Sequence, residues 1–257
     1  MTSVRLGYEV HGPADAPCVV LGGSLGTTRA MWDDVLPHVA KLFRVVTYDH
    51  LGHGQSSVPT GPYTIDELAD DVVALMDEVG IAQAHLGGVS LGGMVAIRIA
   101  ATYPGRVIRL GLVCTSAHIP PPSMWHNRAA TVREYGMSAV LEPVTRRWFT
   151  PQFAATPRAQ QLQLQFLNVP VEGYAGCCEA IASMDLRPAL REISAPTLVI
   201  AGQDDPATPT DHARVIESGI AEAGGTARSV VVPGAHLAAV EQPKAVSTAL
   251  LEHWLTS

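Results

Sequence analysis

Six short apolar runs rich in β-branched residues recur along the chain: PCVVLGG (17–23), FRVVTYD (43–49), AHLGGVS (84–90), VIRLGLVCT (107–115), PTLVIAG (196–202) and ARSVVVPG (227–234). Most end on glycine or a small polar residue, the pattern of strands buried in a parallel sheet. Between them the period lengthens to that of a helix. In TIDELADDVVALMDEVG (64–80), Ile65, Leu68, Val72, Leu75, Met76 and Val79 form one stripe, Thr64 and Glu67 make a capping box, and Gly80 stops the run. Strands alternating with helices predict an α/β fold, a mostly parallel sheet flanked by helices on both faces. The alternation breaks from about 118 to 190, where helical stretches are split by prolines, no strand pattern occurs, and Trp125 and Trp148 fall. A helical lid inserted over the sheet is expected there, with 1–117 and 191–257 forming the core. Such an insertion can shape a pocket and exclude water.

Length and composition change this picture little. A chain of 257 residues, 47% hydrophobic, suits one large domain or two small ones and can bury a sizeable core. Its formal charge of −7, with no block of lysine or arginine, offers no face for nucleic acid and leaves any anionic ligand to a local arginine. The first twenty residues lack a basic start followed by a long apolar stretch, and no apolar run reaches the length of a membrane span. The expectation is a cytoplasmic protein that does not enter membranes; the sequence leaves a homo-oligomer open. Cys18, Cys114, Cys177 and Cys178 have no Cys-x-x-Cys spacing, and two of them are adjacent. They read as reduced core or lid residues rather than as a disulfide or zinc set.

Candidate chemistry enters at GGVSLGG (87–93). Gly88-x-Ser90-x-Gly92 lies where a strand should end and a helix should begin, the setting of a nucleophile elbow. The turn is too tight for side chains on either side of Ser90, and it is expected to leave the hydroxyl exposed at the carboxyl edge of the sheet. A serine nucleophile needs a base, the base an orienting carboxylate, and the oxyanion its donors. Asp205 follows the strand at 196–202 in Gly-x-x-Asp spacing and is preferred to Asp204; His236 follows the next strand. The order serine, aspartate, histidine matches that elbow architecture. Oxyanion donors are expected from the backbone of Leu91 and of Ser24, with Leu25 second. Asp49, His50 and His53 read as a loop supporting the oxyanion segment, and no cluster has metal-ligand spacing.

Over nearly its full length the chain resembles the α/β-hydrolase family, and within it the 3-oxoadipate enol-lactonases. The stretches that carry the resemblance are GSLGTTRAMWDDVLPHV, VVTYDHLGHGQSS, YTIDELADDVVALMDEVGI, GVSLGGMVAIRIAATYPGRV, RWFTPQF, GYAGCCEAIASMDLR, AGQDDPATP and GAHLAAVEQP. GSLGTT, where most relatives carry His-Gly, points with RWFTPQF and GYAGCCEAIASMDLR to the enol-lactonase branch; Leu51 departs from the arginine common there. The resemblance implies a cofactor-free hydrolase opening a carboxymethyl-bearing enol-lactone to 3-oxoadipate, a step of aromatic catabolism in the β-ketoadipate pathway, and no fused decarboxylase domain is expected after the last helix. Alternatives are a general carboxylesterase or perhydrolase, a carbon–carbon bond hydrolase, and a non-enzymatic binding module. For the substrate carboxylate, Arg128 is favoured over Arg133, Arg146, Arg147 and Arg158, with Arg133 second, because helical spacing puts Trp125 and Arg128 on one face. Trp148 is expected as an apolar wall.

Overall fold

The computed structural model describes residues 5–256. Its strands are β1 (Tyr8–His11), β2 (Cys18–Gly22), β3 (Arg44–Tyr48), β4 (Ala84–Val89), β5 (Val107–Val113), β6 (Thr197–Gly202) and β7 (Ala227–Val232). They form one sheet in the order β1-β3-β2-β4-β5-β6-β7. From β3 to β7 across the sheet every pair is parallel. β4 and β6 are buried at every position, which is why they appear as continuous apolar runs rather than alternating ones.

The six expected strands are all present; β1 was not expected. Its YEVH carries no apolar run, and Val10 is 44% exposed. It is a strand because β3 has a free edge: β1 pairs antiparallel there, Tyr8 opposite Tyr48 and His11 opposite Val45.

The helices are α1 (Leu36–Val39), α2 (Ile65–Glu78), α3 (Leu91–Thr102), α4 (Pro122–Tyr135), α5 (Leu141–Thr145), α6 (Pro151–Ala154), α7 (Pro157–Leu167), α8 (Val171–Ser183), α9 (Thr210–Ala221), α10 (Ala238–Glu241) and α11 (Pro243–Trp254). The capping box opens α2: Thr64 Oγ1 accepts from Glu67 N–H at 3.1 Å, and Thr64 N–H donates to Glu67 Oε2 at 2.9 Å. Neighbouring residues of β4 show how both faces are covered. Leu86 lines a small cavity with Val72 of α2 and Ala96 and Ile99 of α3, whereas a Cβ added at Gly87 would lie 3.2 Å from Trp254 of α11.

Between β5 and β6 the described residues form helices α4 to α8 and no strand. α4 packs along α8, and the two ends of the segment are joined where Leu186 N–H donates to Ala117 O at 2.8 Å. All four thiols are free, Cys177 and Cys178 being buried in α8. No helix among the described residues is long and apolar enough to cross a membrane.

Candidate active site

Strand β4 ends at Val89 and α3 begins at Leu91, so Ser90 alone makes the turn, at φ 54° and ψ −112°. For a residue with a Cβ this backbone is strained by roughly 1–3 kcal/mol and persists only when its surroundings hold it. Here Ser90 N–H donates to Val113 O at 3.0 Å, and Thr115 Oγ1 donates to Ser90 O at 2.6 Å. The glycines around it are steric necessities. A Cβ on Gly88 would lie 2.2 Å from the Gly92 carbonyl carbon, and one on Gly92 would lie 2.3 Å from Gly22 O. One expectation needs correcting: Ser90 is only 6% exposed, because residues of the β5–β6 segment roof it.

Asp205 and His236 come from the loops after β6 and β7 and meet at the same edge of the sheet. His236 Nδ1 lies 2.9 Å from Asp205 Oδ2. Oδ2 also accepts from Thr208 Oγ1 at 2.7 Å, and Oδ1 accepts from Ala207 N–H at 2.8 Å and Thr208 N–H at 3.1 Å. Burial by itself would raise the carboxyl pKa. The His236 charge and hydrogen bond and the Thr208 donors outweigh it and hold the group at about 2. Asp204 is exposed, and its N–H donates to Gly234 O. Thr208 escaped the sequence reading, although its place three residues after Asp205, as in an Asx-type turn, was a usable signal. The histidine loop is also tied to the roof: Leu237 N–H donates to Trp148 O at 2.9 Å.

Near Ser90 lies the loop after β2. Leu91 N–H, first in α3, has no acceptor among the described residues, and neither does Leu25 N–H. Ser24 N–H, the donor favoured from sequence, is instead directed to Met31 Sδ at 3.2 Å. The loop is held from behind. Gly26 N–H donates to His53 Nε2 at 3.1 Å, so the His53 proton sits on Nδ1, and His50 Nε2 donates to Gly23 O at 2.8 Å. Burial pushes the pKa of His50 down to about 3 and that of His53 to about 4, keeping both neutral. The buried Asp49 carboxylate accepts from Arg29 N–H at 2.7 Å and pairs with the Arg29 guanidinium. Residues 49–56 thus brace the loop, and the described residues hold no metal-binding cluster of three or more His, Cys, Asp or Glu.

These groups open on one cleft. Ser24, Leu25, Ser90, Thr208 and His236 line one part. Ile119, Met124, Trp125, Val144 and Trp148 supply apolar wall. Arg128, Arg147 and Tyr174 add polar groups, and the Arg128 guanidinium carbon lies 4.5 Å from the Trp125 ring centroid.

Trp125, Arg128 and Trp148 therefore stand where expected, but Arg133 does not. Its guanidinium bonds Glu172 Oε2 at 3.2 Å and Glu179 Oε2 at 3.0 Å, both on α8, and it lies outside the cleft. Arg146 is exposed beside Glu142, and Arg158 bonds Asp34 at 2.7 Å. Arg128 and Arg147 are the lid-segment arginines left without a carboxylate partner among the described residues. Burial and the Arg128 charge both lower the Arg147 pKa. Tyr174 was missed altogether. Its signal was an aromatic residue among small ones in GYAGCC, where Gly173 lets the helix approach Gly52, an added Cβ lying 2.0 Å from Gly52 O.

Residues 17–243 match the family model described as alpha/beta hydrolase fold. The chain is 38% identical to 3-oxoadipate enol-lactonase 2 of Acinetobacter baylyi over 96% of its own length and 92% of the relative's. Among solved structures, the enol-lactonase from Burkholderia xenovorans superposes with a TM-score of 0.94 at 36% identity, over 98% of this chain and 97% of that one. A thermophilic esterase from Thermogutta terrifontis, determined with malate bound, gives a TM-score of 0.90 at 30% identity, over 98% of this chain and 93% of that one. On this likeness, which spans the sheet, the elbow and the loops carrying Asp205 and His236, the chain belongs to the α/β-hydrolase family.

Proposed function

We propose that the protein is a serine hydrolase that opens 3-oxoadipate enol-lactone, a five-membered enol-lactone carrying a carboxymethyl group, to 3-oxoadipate. The observation that carries this reading is one cleft joining Ser90 and the His236–Asp205 pair to two guanidiniums without a carboxylate partner. Half-buried cations without counter-ions suit a pocket whose ligand brings the anion. The enol-lactonase names of the Acinetobacter and Burkholderia relatives agree with it, as does malate, a dicarboxylate, in the esterase.

In this reading Asp205 holds the proton of His236 on Nδ1 and leaves the Nε2 lone pair to take the Ser90 proton. Ser90 Oγ bonds to the lactone carbonyl carbon, and its oxyanion is received by Leu91 N–H and Leu25 N–H. Leu25 replaces Ser24 because the Ser24 N–H is occupied by the Met31 sulfur. Collapse breaks the ring carbon–oxygen bond and releases an enol that remains tethered through the acyl chain and becomes the ketone. Water activated by His236 then frees the acyl group. Arg128 grips the carboxylate, with Arg147 as the nearby second cation, and residues 118–190 act as the lid over the core of 1–117 and 191–257. Four free thiols suit a reducing compartment, and we assign the activity to the cytoplasm.

The test is loss of the enol-lactone ultraviolet band, with 3-oxoadipate identified as product. No acceleration over spontaneous opening, alongside rapid hydrolysis of simple esters, would replace this reading with that of a general carboxylesterase, which the malate-bound esterase likeness favours.

A further inference from the structure

Tyr174 is a cleft group that the triad chemistry leaves unused. It is fully buried on α8, and its ring packs edge-on against Phe166 at 5.4 Å between centroids. It also touches the loop after β2, since a Cβ on Gly26 would lie 3.2 Å from Tyr174 Cε2. Its hydroxyl makes no well-formed hydrogen bond among the described residues, Arg128 approaching it only as a donor, so the O–H proton has no acceptor; of the buried side-chain atoms in that condition it belongs to the one residue lining the cleft. A buried O–H without an acceptor calls for an explanation, and a ligand atom is one. Burial pushes the phenol pKa far above the ordinary tyrosine value, with the Arg128 charge and hydrogen bond and the Arg147 charge acting the other way, so the group is a neutral O–H donor at any working pH.

We propose that Tyr174 Oη donates a hydrogen bond to the oxygen that leaves when the lactone opens, making it a catalytic residue for acylation. The proposal rests on the serine-hydrolase reading above. The carbonyl oxygen is taken by the Leu25 and Leu91 N–H groups and the carboxylate by Arg128, which leaves the ring oxygen. That atom is bonded both to the carbonyl carbon and to the carbon bearing the carboxymethyl group, so it must sit between the oxyanion loop and Arg128. Tyr174 borders both, touching Gly26 on one side and lying close enough to Arg128 to feel its charge.

As Ser90 Oγ bonds to the carbonyl carbon, its proton passes to His236 Nε2. The bond from that carbon to the ring oxygen then breaks, and its electron pair goes to the ring oxygen. The Tyr174 O–H stabilises this enolate while it forms, and His236 returns the proton to it. Tyr174 keeps its own proton, and acyl-Ser90 and a tethered enol result.

The experiment is Tyr174→Phe, which retains the ring that packs on Phe166. kcat/KM, which reports acylation, is measured for acetates whose leaving groups run from nitrophenol to alkyl alcohols, for the carboxymethyl enol-lactone, and for its neutral methyl counterpart. A hydrogen bond to the leaving oxygen matters least where that oxygen already bears charge easily. Nitrophenyl acetate should stay within about threefold of wild type, while the alkyl acetates and both lactones lose about 100- to 1000-fold, the order found on removing one donor to a developing oxyanion. A loss equal across all leaving groups would overturn the proposal in favour of a structural role. A loss confined to the carboxymethyl lactone would overturn it in favour of a carboxylate contact. Ser90→Ala, run in parallel, separates the two levels: if it still hydrolyses nitrophenyl acetate at the wild-type rate, the serine reading itself falls, and the proposal with it.

Discussion

Replacing Arg128 by alanine should damage turnover of the carboxylated lactone far more than that of a neutral isostere. The guanidinium lines the cleft, has no carboxylate partner among the described residues, and lies over the Trp125 ring, 4.5 Å from its centroid. A charge-assisted hydrogen bond to the substrate carboxylate is worth roughly 1.5–3 kcal/mol. At about 1.4 kcal/mol per decade, that is about 10- to 150-fold in kcat/KM. Loss of the stacking on Trp125, about 0.5–1 kcal/mol, loosens the wall for every substrate and accounts for roughly 2- to 5-fold. The assay compares kcat/KM for the carboxymethyl enol-lactone and for the same ring bearing a methyl group. Arg128→Lys keeps the charge but loses the planar fork, and should fall between wild type and alanine with the charged substrate alone. Equal losses with both lactones would refute the assignment and shift the test to Arg147, the other unpaired cation of the cleft.

Other expectations follow from the same geometry. Asp205→Asn should lower kcat by about 10⁴-fold by allowing the wrong His236 tautomer, whereas Asp204→Asn, at an exposed acid, should change it less than about threefold; the reverse order would move the orienting role. Gly92→Ala should destabilise the fold by about 1–3 kcal/mol, read as a lower urea midpoint, because its Cβ would meet Gly22 O at 2.3 Å; an unchanged midpoint would deny the packing argument. Burial holds the pKa of His50, His53 and His85 at about 3, 4 and 4, below the free value of 6.5. The unfolded chain therefore binds more protons than the folded one below pH 6.5, so stability is full above that value and falls as the pH drops toward 4, by up to about 1.4 kcal/mol per pH unit for each histidine. Urea midpoints that stay flat from pH 7 to 4.5 would contradict this.

What was legible in the sequence follows from where its causes are local. The elbow was legible because backbone contact between Gly88, Gly92 and Gly22 excludes any side chain there. Asp205 and His236 were legible because each lies on the loop after a recognisable β-branched run, although β7 itself is only partly buried. β1 was not, since its strand state comes from β3 across the sheet. The choice between Ser24 and Leu25 turned on the Met31 sulfur, seven residues from Ser24, which takes the Ser24 N–H. Helical spacing put Arg128 beside Trp125 correctly, but it could not show that Glu172 and Glu179 of α8 bind Arg133 or that the chain returns Arg147 and Tyr174 to the same cleft.

The central claim is that Ser90 is the nucleophile that opens the lactone, and the most direct measurement is kcat of Ser90→Ala on the carboxymethyl enol-lactone, corrected for spontaneous opening and compared with wild type. Triad members act as a unit, so the account predicts a loss of about 10⁴-fold or more, with His236→Ala alike and the double variant scarcely lower. A Ser90→Ala enzyme within tenfold of wild type, or losses that multiply in the double variant, would contradict it.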